Sequence, residues 1–244
     1  MNWDALRDEL ALWRRDGMVL PIWWRDDDAV ADTAALARLG RLAERLDLAI
    51  HLAVIPAEAT AFGGAPFRMM VHGWSHTNHA PPGEKKAEFR AHRPLEARLT
   101  EARTGLARIE ALFRSDACAV FVPPWNRVDE DMAPGLAAMG YRGLSAFGAR
   151  GGREVGSLVR VNTHLDPIDW RGTRSLVDPD RLLAQVVHDL GERRAGRADA
   201  AEPYGVLTHH LVHDGAIWDF SARLLATLLE GGARPMDFTR EDLP

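Results

Sequence analysis

The residues best placed to do chemistry are His72-Gly-Trp-Ser-His76-Thr-Asn-His79, three histidines at i, i+4 and i+7. On a helical backbone all three would project from one face. Imidazole is the commonest metal ligand near neutral pH. Two histidines joined by one carboxylate make a facial set that leaves positions open for water and substrate. A second group lies upstream, where Asp26-Asp27-Asp28 follow two tryptophans. Three adjacent carboxylates repel one another in a dry site, and a cation or an arginine relieves them. A divalent ion held by one of these aspartates with His72 and His76 would lower the pKa of its water and polarise a carbonyl oxygen. A second aspartate could take the water's proton, and His209 is the natural candidate to protonate a leaving group. The alternatives are a polar loop whose histidines bond backbone, and aspartates that cap a helix, a task Asp32 or Thr33 could equally perform.

The elements that must position these groups alternate along the chain. Asp4–Arg15 reads as an amphipathic helix, Met18–Trp24 as a strand, and Thr33–Leu46 as a helix rich in Ala, Leu and Arg. Leu48–Ile55 is an almost continuous apolar run, as in a strand buried on both faces. Phe67–Val71 is a short strand ending at the histidines. Glu84–Phe113 is expected to be mostly helical, divided at Pro94, with its charges on a solvated face. Strands follow at Ala117–Val122, Tyr141–Ala146, Leu158–Asn162 and Tyr204–Thr208, with helices at Asp129–Met139, Pro179–Arg194 and Ile217–Leu229 and a last strand within Ala233–Phe238. Alternating apolar strands and helices imply a parallel sheet covered by helices. Polar clusters follow five of the strands, at Asp26–Asp28, His72–His79, Trp125–Arg127, Asp166–Trp170 and His209–Asp214. In a barrel those ends share one rim, whereas an open sheet gathers only those beside its switch point.

The chain of 244 residues suits one β/α barrel domain spanning 1–244. A formal net charge of −5 gives no reason to expect nucleic acid or an anionic membrane as partner. The lone Cys118 excludes an internal disulfide and suits a reducing compartment. With no basic-then-apolar leader and no membrane-length apolar run, the expected location is cytoplasmic. Tryptophans 23, 24, 74, 125, 170 and 218 lie in or beside the strand-end clusters. Their flat faces suit a sugar ring or an apolar barrel mouth. The candidate substrate contacts are Trp74, Trp125, Trp170 and Asn126.

Here the residues resemble the polysaccharide deacetylase family, metal-dependent amide and ester hydrolases on an irregular (β/α)7-8 barrel. Trp24-Arg-Asp-Asp-Asp-Ala29 is similar to the family's first motif, an apolar strand, two aspartates and a small residue. His72-Gly-Trp-Ser-His76 is similar to the second, though Gly73 stands where the family has a hydroxyl residue. Val122-Pro-Pro-Trp-Asn126 matches only the centre of the third. Asp166-Pro-Ile-Asp-Trp170 and Leu207-Thr-His209 fit the fourth and fifth. The resemblance implies Asp27 as general base and Asp28 as metal ligand, with the register one residue earlier (Asp26 base, Asp27 ligand) as the alternative. It implies His72 and His76 as the other ligands, His209 as general acid oriented by Asp166, and the Trp125 amide as an oxyanion donor. The ion is zinc by ligand type, with cobalt, nickel or manganese compatible. The family arginine that holds the base aspartate is Val122 here, and Arg25 or Arg127 could substitute from another direction. His79, His210 and His213 are additions, either groups supporting the site or residues of the rim.

The function so implied is hydrolysis of an acetyl or similar acyl group from an N-acetylated sugar or small amide. One competing reading is a glycosidase using two carboxylates such as Asp28 and Asp169. Another is a catalytically impaired barrel that binds a glycan or protein through its aromatic rim, for which the missing arginine speaks.

Overall fold

The computed structural model describes residues 1–64 and 66–239; the expected domain span of 1–244 thus ends in residues outside the described ones. Helix α1 (Trp3–Arg15) starts at Asn2, whose side chain accepts the Ala5 N–H, and buries Trp3, Leu6, Leu10 and Trp13 along one stripe. Strand β1 (Pro21–Ala29) leads to α2 (Ala34–Leu46), capped by the Thr33 hydroxyl accepting the Leu36 N–H at 3.0 Å. Then come β2 (Ile50–Val54), β3 (Phe67–His72), α3 (Leu95–Phe113), β4 (Ala117–Val122), α4 (Ala133–Ala138) and β5 (Gly143–Leu144). The chain finishes with β6 (Glu154–Val155), β7 (Leu158–Arg160), α5 (Pro179–Arg194), β8 (Tyr204–Thr208), α6 (Gly215–Glu230) and β9 (Arg234–Pro235).

Three stretches differ from the sequence reading. The strand expected to stop at Trp24 runs on to Ala29, so the three aspartates are strand residues, not a loop. The stretch expected to be mostly helical from Glu84 and divided at Pro94 is helical only after that proline, from Leu95, because Pro94 fits the helix start and disfavours helix before it. Between the strands expected at Tyr141–Ala146 and Leu158–Asn162 lies a further strand, β6, which pairs antiparallel with β7.

The nine strands of the described residues join one curled sheet in the order β6-β7-β5-β4-β3-β2-β1-β8, with β9 beside the start of β1. Every pairing except β6 with β7 is parallel. The curl closes where the chain after β7 meets β8: the His164 N–H donates to the Gly205 carbonyl at 2.7 Å, and Leu207 N–H to the Leu165 carbonyl at 2.8 Å. The result is a mixed α/β barrel of the irregular kind. A buried network props this seam. Arg193 reaches the His164 Nε2 at 2.8 Å and the Glu202 backbone, while His164 Nδ1 accepts the Gly205 N–H at 3.0 Å.

Side chains divide by alternation along each strand. Ile22 and Trp24 of β1 join the large core between sheet and helices. Trp23 points the other way, into a small interior core with Ala53, Met70, Cys118, Val120 and Phe238. A Cβ at Gly205 would lie 2.4 Å from the Trp23 indole nitrogen, so only glycine lets that ring approach β8. After β9 the chain seals the bottom of the barrel. The Phe238 N–H donates to His51 Nε2 at 2.9 Å, and Cys118 Sγ donates to the Phe238 carbonyl at 2.8 Å. No helix among the described residues is long and apolar enough to cross a membrane.

Candidate active site

The upper end of β1 sets the site. Alternation turns Arg25 and Asp27 inward and Asp26 outward. Asp26 is fully buried outside the barrel, accepting from Thr208 Oγ1 at 2.6 Å, the His210 N–H at 3.0 Å and His210 Nδ1 at 2.5 Å. It thus lies away from the cleft, and the earlier register, with Asp26 as base, does not match this geometry. Asp28 should then face outward too. A β-bulge between Asp27 and Ala29, with Asp28 at φ +71°, turns it back toward the barrel mouth. Aspartate tolerates that left-handed conformation better than most side chains. The bulge brings two successive carboxylates to one side.

The histidine segment is not a helix. His72 is the last residue of β3, and the chain turns at Gly73 (φ +59°) and His76 (φ +54°), which brings His76 back over the strand end. A Cβ on Gly73 would sit 2.4 Å from a Glu88 oxygen and 2.5 Å from Pro124 Cδ, so the hydroxyl residue of the family motif does not fit this turn. Glu88, fully buried, holds the loop by accepting the Trp74 N–H at 3.2 Å and the Ser75 N–H at 2.9 Å. Sequence reading missed it, placing it on a solvated helix. The only sequence signal is its setting between Ala87 and Phe89. His79 is exposed and takes no part.

His72 Nδ1 faces the Val122 carbonyl at 3.0 Å, which leaves Nε2 toward Asp28 Oδ1 at 3.2 Å. His76 Nε2 lies 3.4 Å from the same oxygen. The three donor atoms all fall within 4.8 Å of one another. Their protonation reflects crowding of opposite charges. Burial alone would raise the Asp28 pKa, but its bond to His72 and the charges of His72, His209 and His76 hold it below the usual carboxylate range. Burial pushes His72 down, yet Asp27 and Asp28 raise it overall; His76 is lowered by burial and by His72. Asp28 Oδ1 is buried, and among the described residues its only close neighbours are the two imidazole nitrogens, neither aligned for a full hydrogen bond. An orphaned carboxylate oxygen between two imidazole nitrogens is what a divalent ion would satisfy, and the donor set fits one with open positions.

These groups line the inner part of a cleft of about 840 Å³, with Asp27, Trp125, Asn126, Asp166, Trp170 and His209. The Trp125 ring lies tilted against that of His76, with centroids 4.3 Å apart and planes at 50°. His209 contacts Trp170 edge-on at 4.7 Å, and its N–H donates to His213 Nε2 at 3.2 Å. Asp166 accepts the Ile168 N–H at 3.0 Å and the Trp170 indole N–H at 2.7 Å. Burial raises its pKa against the opposing charge of His209. Asp166 reaches His209 through charge rather than a direct bond, since His209 Nδ1 has no hydrogen-bond partner among the described residues. Trp74 does not line the cleft; it packs against the large core. Asp169 is half-buried and accepts the Gly172 and Thr173 N–H groups of a turn, and it does not line the cleft. Five of the seven non-glycine residues with positive φ among those described line this cleft: Asp28, His76, Trp125, Asn126 and Arg174. Each such conformation costs on the order of 1 kcal/mol, and such strain concentrates at functional sites.

The sequence matches no family model and no curated protein. The fold does match solved structures. A family 4 carbohydrate esterase from Streptomyces lividans, in complex with acetate, superposes with a TM-score of 0.54 at 12% identity, over 89% of this chain and 92% of that one. The chitin deacetylase of Colletotrichum lindemuthianum gives 0.54 at 15% identity, over 89% and 85%. A peptidoglycan N-acetylglucosamine deacetylase gives 0.53 at 14% identity, over 88% and 85%. The chain has the polysaccharide deacetylase fold.

Within this barrel the base candidate Asp27 is held by a guanidinium from another position. Val122, at the place of the family arginine, is part of the interior core. Arg25 supplies a guanidinium instead, two residues before Asp27 on the same strand. Its Nε and Nη2 lie 2.8 and 3.0 Å from the two Asp27 oxygens. It also donates to Ser145 Oγ at 2.7 Å and Asn126 Oδ1 at 2.6 Å, and it is wholly buried. Arg127, the other candidate, donates to the Lys86 carbonyl and lines the cleft away from this pair.

Proposed function

We propose that this protein is a metal-dependent hydrolase that removes an acetyl group from an N-acetylated sugar or small amide. The observation that carries the reading is the set Asp28, His72 and His76, with donor atoms within 4.8 Å, lining one cleft with Asp27 and His209. The fold shared with carbohydrate deacetylases and esterases supports it. Asp28, His72 and His76 would hold the ion, zinc by ligand type. The ion would supply Lewis acidity toward a carbonyl oxygen and a water.

The chain's own residues do the rest. Asp27, fixed in rotamer by Arg25, accepts the proton of the attacking water. The Trp125 amide, at the turn after Pro123-Pro124, donates to the oxygen that gains charge as the carbonyl becomes tetrahedral. His209, on the cleft wall beside Trp170 and close to Asp166, gives a proton to the departing amine. Water adds across the C–N bond, giving acetate and a free amine. The Trp125 and Trp170 rings offer faces to the sugar. The impaired-barrel reading loses its support, since Arg25 replaces the missing guanidinium.

The test is acetate release from a panel of acetylated sugars by metal-loaded protein, chelated protein and Asp27→Asn. Activity should vanish on chelation, return with zinc or cobalt, and fall on the order of 100-fold or more in Asp27→Asn. Turnover that survives both treatments would refute the mechanism.

A further inference from the structure

The outer part of the cleft carries a charge that a neutral sugar does not need. Lys86, Arg127, Arg171 and Arg174 line it, each on a segment that follows a strand end. Among the described residues the acids lining it are Asp27, Asp28 and Asp166, which belong to the inner cluster described above. Among the described residues none of the four cations pairs with a carboxylate. The adjoining cleft, which shares Asn126 and Arg127, shows the contrast: its Arg90, Arg150 and Arg160 pair with Asp129 at 3.0 Å, Asp199 at 2.5 Å and Glu130 at 2.8 Å. The chain as a whole is acidic, at −5, so a local run of four unpaired cations opposes the average.

Like charges held together without counter-ions raise the energy of the free protein. Arg127 bears this directly: burial and the charges of Arg90 and Arg171 lower its pKa. Its position is nonetheless fixed, because its Nη1 donates to the Lys86 carbonyl at 2.6 Å and ties two rim segments together. Arg174 lies 5.0 Å over the Trp170 ring, which orients it beside the aromatic face offered to a sugar. Guanidinium groups suit carboxylate and phosphate, whose paired oxygens match their forked donors.

We propose that the substrate is an acylated sugar bearing an anionic oxyacid group, a carboxylate or a phosphate, which the Lys86, Arg127, Arg171 and Arg174 rim binds. This rests on the deacetylase reading for the acyl group, but the anion site is testable without turnover.

The experiment compares three ligands of one core: N-acetylglucosamine, N-acetylglucosamine 6-phosphate and N-acetylmuramic acid. Calorimetric binding to the metal-loaded protein should favour one or both anionic ligands by about tenfold or more over the neutral one. Whichever wins tells phosphate from carboxylate. The preference should shrink as salt rises from 50 to 300 mM, as screening requires. It should fall toward one in Arg127→Gln/Arg171→Gln, with circular dichroism confirming the fold. Equal binding of all three ligands would overturn the proposal. Deacetylation is followed on the same set. Preferential anion binding with no turnover of any member would keep the anion site and discard the deacetylase reading; turnover with no charge preference would do the reverse.

Discussion

A single guanidinium settles whether the candidate base is properly held. Arg25 and Asp27 are both buried, and each satisfies the other's charge. Removing one partner of such a pair costs about 3–5 kcal/mol, because the other charge stays behind unpaired. Arg25→Met should therefore fold poorly or melt far lower. Arg25→Lys keeps the charge but loses the fork, and the bonds to Ser145 and Asn126 with it. Its kcat should fall about 10- to 100-fold through misplacement of Asp27, while KM moves much less. Full kcat in Arg25→Lys would show that the fork positions nothing. The sequence made this pairing legible only in part. Spacing of two on a strand puts residues 25 and 27 on one face, and Arg25 was one of two named candidates. What it hid was the Asp28 bulge: strict alternation sends residue 28 outward with Asp26, and no local pattern announces a positive φ there.

At the scale of one element, the loop from Gly73 to Thr77 shows how a short segment replaces a helix. The i,i+4 spacing of His72 and His76 is compatible with a helical turn, and the histidines do meet, but through two left-handed residues and a buried carboxylate. Glu88 gathers the Trp74 and Ser75 amides, and its own oxygen fills the place a Gly73 side chain would take. Gly73→Ala should accordingly lose about 2 kcal/mol or more, from a positive φ and a contact with Glu88 and Pro124 that neither can yield easily. Urea denaturation measures it; a loss below about 0.5 kcal/mol would mean the loop adapts at little cost. The helix expected over Glu84–Phe113 holds from Leu95 onward, and the part before Pro94 is not helical for a related reason. Charge and helix propensity dominate that stretch, while the long-range demand of Glu88 on the histidine loop decides its fold.

For the whole molecule, the alternation of strands and helices made the barrel legible, and the five polar clusters correctly indicated one shared end. The seam and the bottom seal were not legible, because both depend on contacts between residues far apart in sequence. The seal makes the fold acid-sensitive. His51 is buried with Nδ1 on the Trp24 carbonyl at 3.2 Å and Nε2 accepting the Phe238 N–H, an arrangement open only to neutral imidazole. Burial, against the pull of Asp237 and with the opposition of Arg68, lowers its pKa from 6.5 to about 4. As pH falls below 6.5 the unfolded chain gains a proton that the folded chain refuses until about 4. Stability is thus lost across that window, by up to about 3 kcal/mol from this group. His51→Gln, which can make both bonds without titrating, should flatten the loss relative to wild type. Parallel pH curves for the two proteins would clear His51 of the role.

The seal at Phe238 also decides traffic. Trp23, Cys118, Val120 and Phe238 fill the barrel below the cluster, so the cleft is closed underneath and opens at the rim. Both products of the proposed reaction must leave the way the substrate came. In that reaction acetate would form at the floor, beside Asp28 and His72, under a sugar reaching to Trp170 and the basic rim. The sugar amine has to go first, and acetate last. In steady-state terms, acetate is then the product that meets the free enzyme. It should inhibit competitively against substrate, whereas the amine sugar should give a mixed pattern. Initial rates at several fixed concentrations of each product would read out the order of departure, and the reverse assignment would mean that acetate has another exit.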